Sequence, residues 1–275
     1  MLTLRLSAAF VFVATLFSGC VNAQTEKSSW CSRSPAQASS SILLGQPAPD
    51  YDRPVSWKLL APNILCDQKA IWLFPLKLNS PQVLIPTLSV AAATAGLLVL
   101  DPTQGRYFHQ TSSFDGFNKV FSSTATTAGI IAAPVSIYAA GLLTRDTKMQ
   151  RTALLAGEAV ADAEILTTVL KDIDRRLRPA SYSRNGNYWD SWLDSKGSLV
   201  RGNGSFPSGH AIAAFSIATV VAHRYRTHRW VPYTAYGLAA VVGFSRLTLS
   251  AHFTSDVFMG AVFGYSISRF AVLRY

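Results

Sequence analysis

Apolar residues along this chain are concentrated in six blocks, all of them after residue 82. Each block is long enough to form a helix, and the strict alternation that is typical of strands is scarce. There is no internal repeat. The pattern therefore predicts an all-α fold, a bundle of about six core helices, over residues 83–100, 121–143, 153–170, 208–223, 232–249 and 255–272.

The first 23 residues have the pattern of a secretory signal peptide. Arg5 supplies the positive start, residues 6–17 are an apolar run, and Val21-Asn22-Ala23 fits a cleavage site. The alternative is lipoprotein processing at Cys20, because Phe17-Ser18-Gly19-Cys20 resembles a lipobox. Either reading predicts an exported protein of the periplasm or cell envelope.

Residues 24–80 are rich in Ser, Pro, Gln and Asn, and they predict an extension with little regular structure before a helical domain at 81–275. After signal removal two cysteines remain, Cys31 and Cys66. In an exported protein an even pair is compatible with a disulfide. Two free buried thiols are the alternative.

The apolar blocks give mixed indications about a membrane. Block 153–170 contains Glu158, Asp162 and Glu164, and each carboxylate in mid-membrane costs very roughly 2.5–3.5 kcal/mol. If all six blocks crossed, the basic loops 144–152 and 223–230 and the extension would all be cytoplasmic, whereas a signal sequence places the extension outside. We therefore expect a mainly soluble or membrane-associated bundle. Its all-round apolar helices would be central core helices, and the three carboxylates would form a solvated face or pair with arginines.

Positive charge is in excess, with a formal net charge of +10 over 275 residues. Such an excess favours an anionic partner, which could be a phosphate-bearing substrate, a membrane surface or nucleic acid. The basic residues are spread over loops, without zinc-finger spacing or a basic region with heptads, so nucleic acid is not expected. Because no Cys/His cluster has metal-ligand spacing, no metal is expected either.

Three polar clusters interrupt the apolar blocks. They are "KDIDRRLRP" (171–179) at the end of the third block, "SFPSGH" (205–210) at the start of the fourth, and "SRLTLSAHFTSD" (245–256) between the fifth and sixth. In an antiparallel bundle these helix ends lie on one side and meet. The sequence therefore predicts one site formed by Lys171, Arg178, Ser208, Gly209, His210, Arg246, His252 and Asp256.

The residue types in this site suit a multiply charged anion. Arginine offers a two-pronged donor to phosphate oxygens. Ser205 is a candidate N-cap and Pro207 suits a first turn, so the N–H groups around Ser208, Gly209 and His210 would be free to bind an anion. Arg175 and Arg176 are interpreted only as the basic end of a helix.

Two histidines and an aspartate suggest catalysis as well as binding. His252 and Asp256 are four residues apart and share a helix face. Asp256 could accept from one ring nitrogen of His252, which would leave the other nitrogen as a nucleophile. His210 could then protonate the leaving oxygen.

These three clusters resemble the phosphatidic acid phosphatase type 2 superfamily, which includes class A acid phosphatases, lipid phosphate phosphatases and vanadium haloperoxidases. The matching motifs are K-x6-R-P, P-S-G-H and S-R-x5-H-x3-D, complete and in order. The resemblance implies phosphate ester or pyrophosphate hydrolysis through a phosphohistidine, without a metal. By match to the motifs, His252 is the nucleophile, Asp256 its orienting partner and His210 the acid and base. The phosphate-binding residues implied are Lys171, Arg178, Ser208, Gly209 and Arg246.

We therefore expect an exported phosphatase that acts on a phosphorylated small molecule or a lipid phosphate and needs no cofactor. One alternative is a vanadium-dependent haloperoxidase, since vanadate mimics phosphate and His252 could be its axial ligand. Another is a non-catalytic anion-binding protein of the envelope.

Overall fold

The computed structural model describes residues 53–193 and 204–273, and within these ranges all regular secondary structure is helical. The all-α prediction is confirmed. The predicted signal peptide, Cys20 and Cys31 lie outside the described residues. The α-helices are α1 (Leu60–Trp72), α2 (Pro81–Gln110), α3 (Asp115–Val120), α4 (Ser123–Leu143), α5 (Thr147–Asp174), α6 (Gly209–Arg224), α7 (Trp230–Thr248) and α8 (Thr254–Ile267), and a π-helical turn, Ser268–Val272, follows α8.

The six predicted blocks correspond to α2 and α4 to α8, and the helices differ from the blocks mainly at their ends. Helix α5 begins six residues before its block because the Asp146 side chain caps it, accepting from the amides of Lys148 at 2.7 Å and Met149 at 3.1 Å. The helix ends at Arg175, which adopts the left-handed conformation. This end places the first polar cluster directly after α5.

The expectation of little regular structure before residue 81 is wrong for the part that the structure describes. Residues 60–72 form α1, which packs on α5. Its Gln68 side chain donates to Asp162 at 2.9 Å, and Arg53, just before α1, pairs with Glu158 at 2.9 Å and with Asp67. Glu158 and Asp162 are therefore buried under α1. Of the two alternatives predicted for these carboxylates, the solvated face is wrong for both, and pairing with an arginine is found for Glu158.

Cys66 lies within α1 and is disulfide-bonded, so it is not a free thiol. The partner expected from the sequence, Cys31, is outside the described residues.

Helix α6 is the central helix of the bundle and packs against α5, α7 and α8. Many of its core positions are small, and Ala211, Ala213 and Ala218 are buried. Small residues also let α8 approach closely: a Cβ at Gly260 would lie 2.8 Å from the Ser208 carbonyl, and one at Gly264 would lie 2.4 Å from the Ile212 carbonyl. This contact fixes the beginning of α6 beside the beginning of α8.

Two long apolar helices, α2 and α4, lie at the periphery of the bundle. Both are long and apolar enough to cross a membrane. In the most apolar segment of α2 no residue is buried, and in that of α4 11% of the residues are buried. Large apolar side chains such as Ile85, Val99 and Ile131 are exposed on them. The prediction that such helices are central core helices is therefore wrong for α2 and α4, because the small residues of α5 and α6 fill the centre instead.

Candidate active site

The ends of α5 and α7 and the beginnings of α6 and α8 meet on one side of the bundle. The first cluster reaches the third where the Arg176 guanidinium pairs with Asp256. The second reaches the third where the Ser205 carbonyl meets the ring of His252, 2.7 Å away. Near Gly209, a Cβ would lie 3.5 Å from the Lys171 Nζ. The three clusters thus converge as the sequence predicted.

His252 is buried, with 3% of its surface exposed, and lies just before α8. Its Nδ1 donates to the Ser205 carbonyl at 2.7 Å, because a carbonyl oxygen can only accept. The nearest Asp256 oxygen, Oδ2, is 3.7 Å from Nδ1, too long for a hydrogen bond. The tautomer with a free Nε2 is therefore set by a backbone carbonyl, and Asp256 acts on the ring by its charge. The hydrogen bond predicted between the two side chains is replaced by this arrangement.

The Asp256 carboxylate is fully buried and surrounded by donors. Its Oδ2 accepts from the Ser205 hydroxyl at 2.6 Å and the Phe253 amide at 2.8 Å, while Oδ1 accepts from Arg176. Burial alone would raise the pKa of Asp256, but the charge of Arg176 and these hydrogen bonds outweigh burial and lower the pKa to about 2. Asp256 is therefore ionised throughout the neutral and mildly acidic range.

The His252 ring is kept neutral by its surroundings. Burial lowers its pKa to about 4, Asp256 opposes this, and the charges of Arg178 and Lys171 add to the lowering. A neutral imidazole with its proton on Nδ1 keeps a lone pair on Nε2. This is the state that a nucleophile requires.

Ser205 and Pro207 have other places than the sequence predicted. Helix α6 begins at Gly209, with Ser208 at the N-cap position and Pro207 before it. Ser205 is therefore not the N-cap. It links the clusters instead, since its amide donates to the Arg176 carbonyl at 2.7 Å while its hydroxyl and carbonyl contact Asp256 and His252.

The N–H groups at the start of α6 are only partly available to an anion. The Ser208 amide donates to the Asp256 carbonyl at 3.0 Å, so the prediction that it is free is wrong. The Ser208 hydroxyl, in contrast, is buried and has no hydrogen-bond partner. A buried hydroxyl without a partner is unfavourable, and beside cationic side chains it suits a phosphate oxygen.

Arg246 is a fully buried cation near the end of α7. Its hydrogen bonds go to neutral acceptors: the Thr126 hydroxyl at 2.8 Å, the Phe121 carbonyl at 3.0 Å, the Ser123 hydroxyl at 3.2 Å and its neighbour Ser245. Burial lowers its pKa to about 10, and the nearby charge of Arg178 adds to this. Among the described residues no salt bridge neutralises Arg246, so its charge favours an anion in the site.

Lys171 and Arg178 complete the cationic side of the site. Burial lowers the pKa of both groups, and the charge of Arg178 lowers that of Lys171 further. Their mutual repulsion is partly offset by Glu164, Asp174 and Asp256. A bound dianion would relieve this repulsion.

His210 lies in the first turn of α6 and faces α4. Its Nε2 is 2.9 Å from the Thr127 hydroxyl, which itself donates to the Ser123 carbonyl at 2.9 Å, so Nε2 is the donor. Burial lowers the pKa of His210 to about 4, helped by the charges of Arg246 and His252. Beside it, one face of α4 forms a shallow, open and mostly apolar cleft, with Ser123, Thr127 and Ile131 among the lining residues.

Three residues at this site were missed or misread in the sequence. Arg176 was interpreted as a basic helix end, but it is 2% exposed and bonded to two carboxylates. Asp101 and Ser255 were not singled out, although both contact Arg176. The one available signal was Asp101 itself, a carboxylate directly after the apolar block 83–100.

The fold and this site define an all-α bundle protein whose helix ends gather two histidines and several cations into one buried site. Residues 152–275 match the model of the PAP2 superfamily, and all eight predicted site residues lie within this match.

Two individual proteins are similar to the chain. The lipid A 1-phosphatase of Porphyromonas gingivalis is 38% identical over 66 residues, which is 24% of this chain and 15% of that relative. The chain thus spans only a small part of the curated relative that it matches. The crystal structure of a transmembrane PAP2 type phosphatidylglycerolphosphate phosphatase from Bacillus subtilis is 22% identical, covers 77% of this chain and 92% of that one, and has a TM-score of 0.41.

Proposed function

We propose that this protein is an exported, metal-independent phosphatase that removes a phosphoryl group from a lipid through a phosphohistidine intermediate. The observation that carries the proposal is the state of His252: its Nδ1 proton is held by the Ser205 carbonyl, which leaves the lone pair on Nε2. Around it lie the cations Lys171, Arg178 and Arg246, which supply the positive charge that phosphoryl transfer requires.

In the first step, the Nε2 of His252 attacks phosphorus and forms an N–P bond, while the bond to the leaving oxygen breaks. Protonated His210 gives its proton to that oxygen. The leaving group therefore departs as an alcohol or, from a pyrophosphate, as a phosphate that carries this proton. The positive charge that develops on His252 is stabilised by the Asp256 carboxylate, 3.7 Å from Nδ1.

In the second step, water attacks phosphorus and the N–P bond breaks. His210, now neutral, accepts a proton from the water, and inorganic phosphate leaves. His252 recovers its free Nε2, and His210 regains the proton that it gave in the first step. Lys171, Arg178, Arg246 and the Ser208 hydroxyl would hold the phosphate oxygens in both steps.

Two observations favour a lipid over a soluble substrate. The apolar surfaces of α2 and α4 are exposed in a way that suits contact with a bilayer, and His210, the proposed donor to the leaving group, adjoins the apolar cleft on α4. The name of the Porphyromonas gingivalis relative also describes a lipid phosphatase. Export rests on residues 1–23 alone.

The test is phosphate release from an aryl phosphate and from lipid phosphates in detergent micelles, with and without a chelator. We expect turnover in the chelator, inhibition by vanadate, and no turnover for His252→Ala. His228→Ala, an exposed histidine between α6 and α7, is the control and should keep full activity. Acid-labile labelled phosphate should be trapped on the wild type and not on His252→Ala.

Other outcomes would identify another function. Turnover that survives His252→Ala, or that requires a divalent metal, would refute the mechanism. Halide oxidation by peroxide with vanadate would indicate a haloperoxidase, and phosphate binding without turnover on any substrate would indicate a binding protein.

A further inference from the structure

Arg176 joins two carboxylates from different helices in the interior of the protein. Its Nη1 donates to Asp256 and to the Ser255 hydroxyl at 2.8 Å, its Nη2 donates to Asp101 at 2.7 Å, and its Nε donates to the Ser191 hydroxyl at 3.2 Å. Only 2% of its surface is exposed. Because all three nitrogens of this planar group donate hydrogen bonds, the guanidinium is held in one position.

Aromatic rings also hold the guanidinium. Its central carbon lies 4.6 Å from the ring centroid of Trp192 and 4.2 Å from that of Phe253. Both distances are within the range of cation–π attraction. Since Phe253 directly follows His252, the contact ties Arg176 to the backbone that carries the histidine.

Asp101 holds the beginning of α8 from another helix. Its Oδ1 accepts from the Ser255 amide at 3.0 Å, and its Oδ2 accepts from the Ser255 hydroxyl and from Arg176. The carboxylate is 1% exposed and belongs to α2. One turn later α2 packs on the same region, because a Cβ at Gly105 would lie 2.7 Å from the Phe253 ring.

The chain of contacts ends at the proposed nucleophile. Asp256 accepts from the Phe253 amide at 2.8 Å and from Ser205, whose carbonyl orients His252. A shift of the Asp256 carboxylate would therefore move both the residue after His252 and the residue that fixes its tautomer. Because two negative charges and one positive charge are buried together, loss of the middle one would leave two carboxylates unpaired.

We propose that Arg176, anchored by Asp101, is a positioning residue that fixes Asp256 and through it the attacking geometry of His252. This inference rests on the proposed function for the role of His252. It assigns a function to an ion-pair network that includes α2, outside the three polar clusters.

Charges around the His252–Asp256 pair set the sign of the expected pH effects. Those that face the pair are Lys171, Asp174, Arg176 and Arg178 from the end of α5 and the loop after it, Asp101 from α2, and His210 from α6. Removing the positive charge of Arg176 makes protonation of the pair easier, so its first proton binds at higher pH. Removing the negative charge of Asp101 makes protonation of the pair harder, so the first proton binds at lower pH.

The experiment compares Arg176→Gln, Arg176→Lys and Asp101→Asn with the wild type, and Arg175→Gln serves as the control. Arg175 is adjacent to Arg176, but its side chain makes its hydrogen bond to the Asp172 carbonyl, at 3.3 Å, outside the ion-pair network. For Arg176→Gln we expect kcat to fall at least about tenfold with KM nearly unchanged, and the acid limb of kcat/KM to rise by about one pH unit. Asp101→Asn should also lower kcat but move the limb downward. Arg176→Lys should return the acid limb of kcat/KM to the wild-type pH because it keeps the positive charge. It should restore only part of kcat, because a single ammonium group cannot bridge both carboxylates as the guanidinium does.

A second measurement is independent of turnover. Nitrogen-15 NMR of the histidines reports the tautomer and first protonation of His252, and His252→Ala identifies its signal. We expect the Nδ1–H tautomer in the wild type, and in Arg176→Gln a first protonation at higher pH. If the glutamine variant does not fold, the nearly isosteric Asp101→Asn is measured in the same way.

The inference is overturned if the variants fold and keep the wild-type kcat. It is also overturned if kcat falls while the acid limb and the NMR protonation stay unchanged in both Arg176→Gln and Asp101→Asn, since that pattern indicates a structural role only. A wild type that releases no phosphate refutes the proposed function instead, and the NMR comparison then decides the link between Arg176 and His252 by itself.

Discussion

The Nδ1 of His252 lies 2.7 Å from the Ser205 carbonyl oxygen, a closer partner than the Asp256 carboxylate at 3.7 Å. A carbonyl oxygen remains an acceptor at every pH, so it fixes the tautomer regardless of the ionisation of its neighbours. Asp256 is then free to hold Ser205, Phe253 and Arg176. Orientation of the ring and stabilisation of its positive charge are thus assigned to two different groups.

The pH dependence of turnover follows from the two histidines. His252 must be neutral, and its pKa of about 4 makes it so above that pH. His210 must be protonated, but burial lowers its pKa to about 4, so the protonated fraction in the free protein falls as the pH rises above 4. We expect kcat/KM to be largest on the acid side of neutrality. Because a bound phosphoryl group raises the pKa of His210, the basic limb of kcat should lie at higher pH than that of kcat/KM.

Initial rates on an aryl phosphate across the acid and neutral range measure both limbs. A kcat/KM that rises steadily into the alkaline range would contradict these histidine assignments.

The unpartnered hydroxyl of Ser208 should matter for phosphate and hardly at all for folding. Replacing it in Ser208→Ala removes no hydrogen bond within the described protein, so thermal stability should be unchanged or slightly higher. Phosphate affinity and kcat/KM should fall about tenfold, the value of one charge-assisted hydrogen bond. Inhibition constants for inorganic phosphate, together with thermal unfolding, measure both effects.

Ser216→Ala is the matched control, since Ser216 is equally buried on α6 but its hydroxyl points to the Gly264 carbonyl, 3.4 Å away. It should leave phosphate affinity intact. If Ser208→Ala destabilised the fold more than Ser216→Ala did, the hydroxyl would have a structural partner instead.

Arg246 should couple phosphate binding to stability. Since the buried cation has only neutral partners in the described chain, phosphate should raise the melting temperature of the wild type. At a concentration about 100 times the Kd, the expected stabilisation is about 2.7 kcal/mol. In Arg246→Gln this increase should be lost and kcat/KM should fall at least about a hundredfold, which is about two buried charge-assisted hydrogen bonds.

Differential scanning fluorimetry with and without phosphate checks this expectation. Arg226→Gln, at an exposed position in the loop after α6, should show the full phosphate effect. An undiminished shift in Arg246→Gln would place the anion elsewhere.

Asp162 should make the protein less stable as the pH rises. Burial raises the pKa of Asp162 to about 8, and neighbouring Asp67 and Glu158 add to this, whereas the Gln68 hydrogen bond opposes it. A carboxyl group with a raised pKa favours the fold in its protonated form, so its contribution is present at low pH and is lost between about pH 4, where the unfolded chain ionises, and about pH 8.

Asp162→Asn should therefore flatten the dependence of the free energy of unfolding on pH in this window, by up to about 1.4 kcal/mol per pH unit, and its stability relative to the wild type should increase with pH. Urea unfolding at several pH values measures the slope. An equal slope in both proteins would mean that Asp162 stays ionised in the folded state.

The sequence alone determined the helical class and predicted the eight site residues, because both inferences depend on local spacing. The polar clusters adjoin the ends of apolar helices, and antiparallel packing brings alternate helix ends together. The shared helix face predicted for His252 and Asp256 is wrong, because α8 begins only at Thr254. The match of residues 152–275 to the PAP2 superfamily agrees with the family that the three motifs resemble. The helix boundaries differed where a cap such as Asp146 extends the helix beyond its apolar block.

Helix α1 and the position of α2 could not be predicted in this way. The composition of residues 24–80 is that of an extension, and α1 is stabilised by contacts with α5, such as that between Gln68 and Asp162, that are distant in sequence. An apolar helix is compatible with the centre of a bundle or with its surface. The packing of α5 and α6, which fill the centre, places α2 and α4 at the surface of the bundle.

The local pattern thus predicted which side chains would carry the chemistry, since helical periodicity and helix ends are properties of neighbouring residues. Only the tertiary structure decided how they are held: that a backbone carbonyl at Ser205 fixes His252, and that Arg176 and Asp101, 75 residues apart, share one ion-pair network. Contacts of this kind depend on the three-dimensional path of the chain, and a buried charge becomes favourable only where that path brings its partners together.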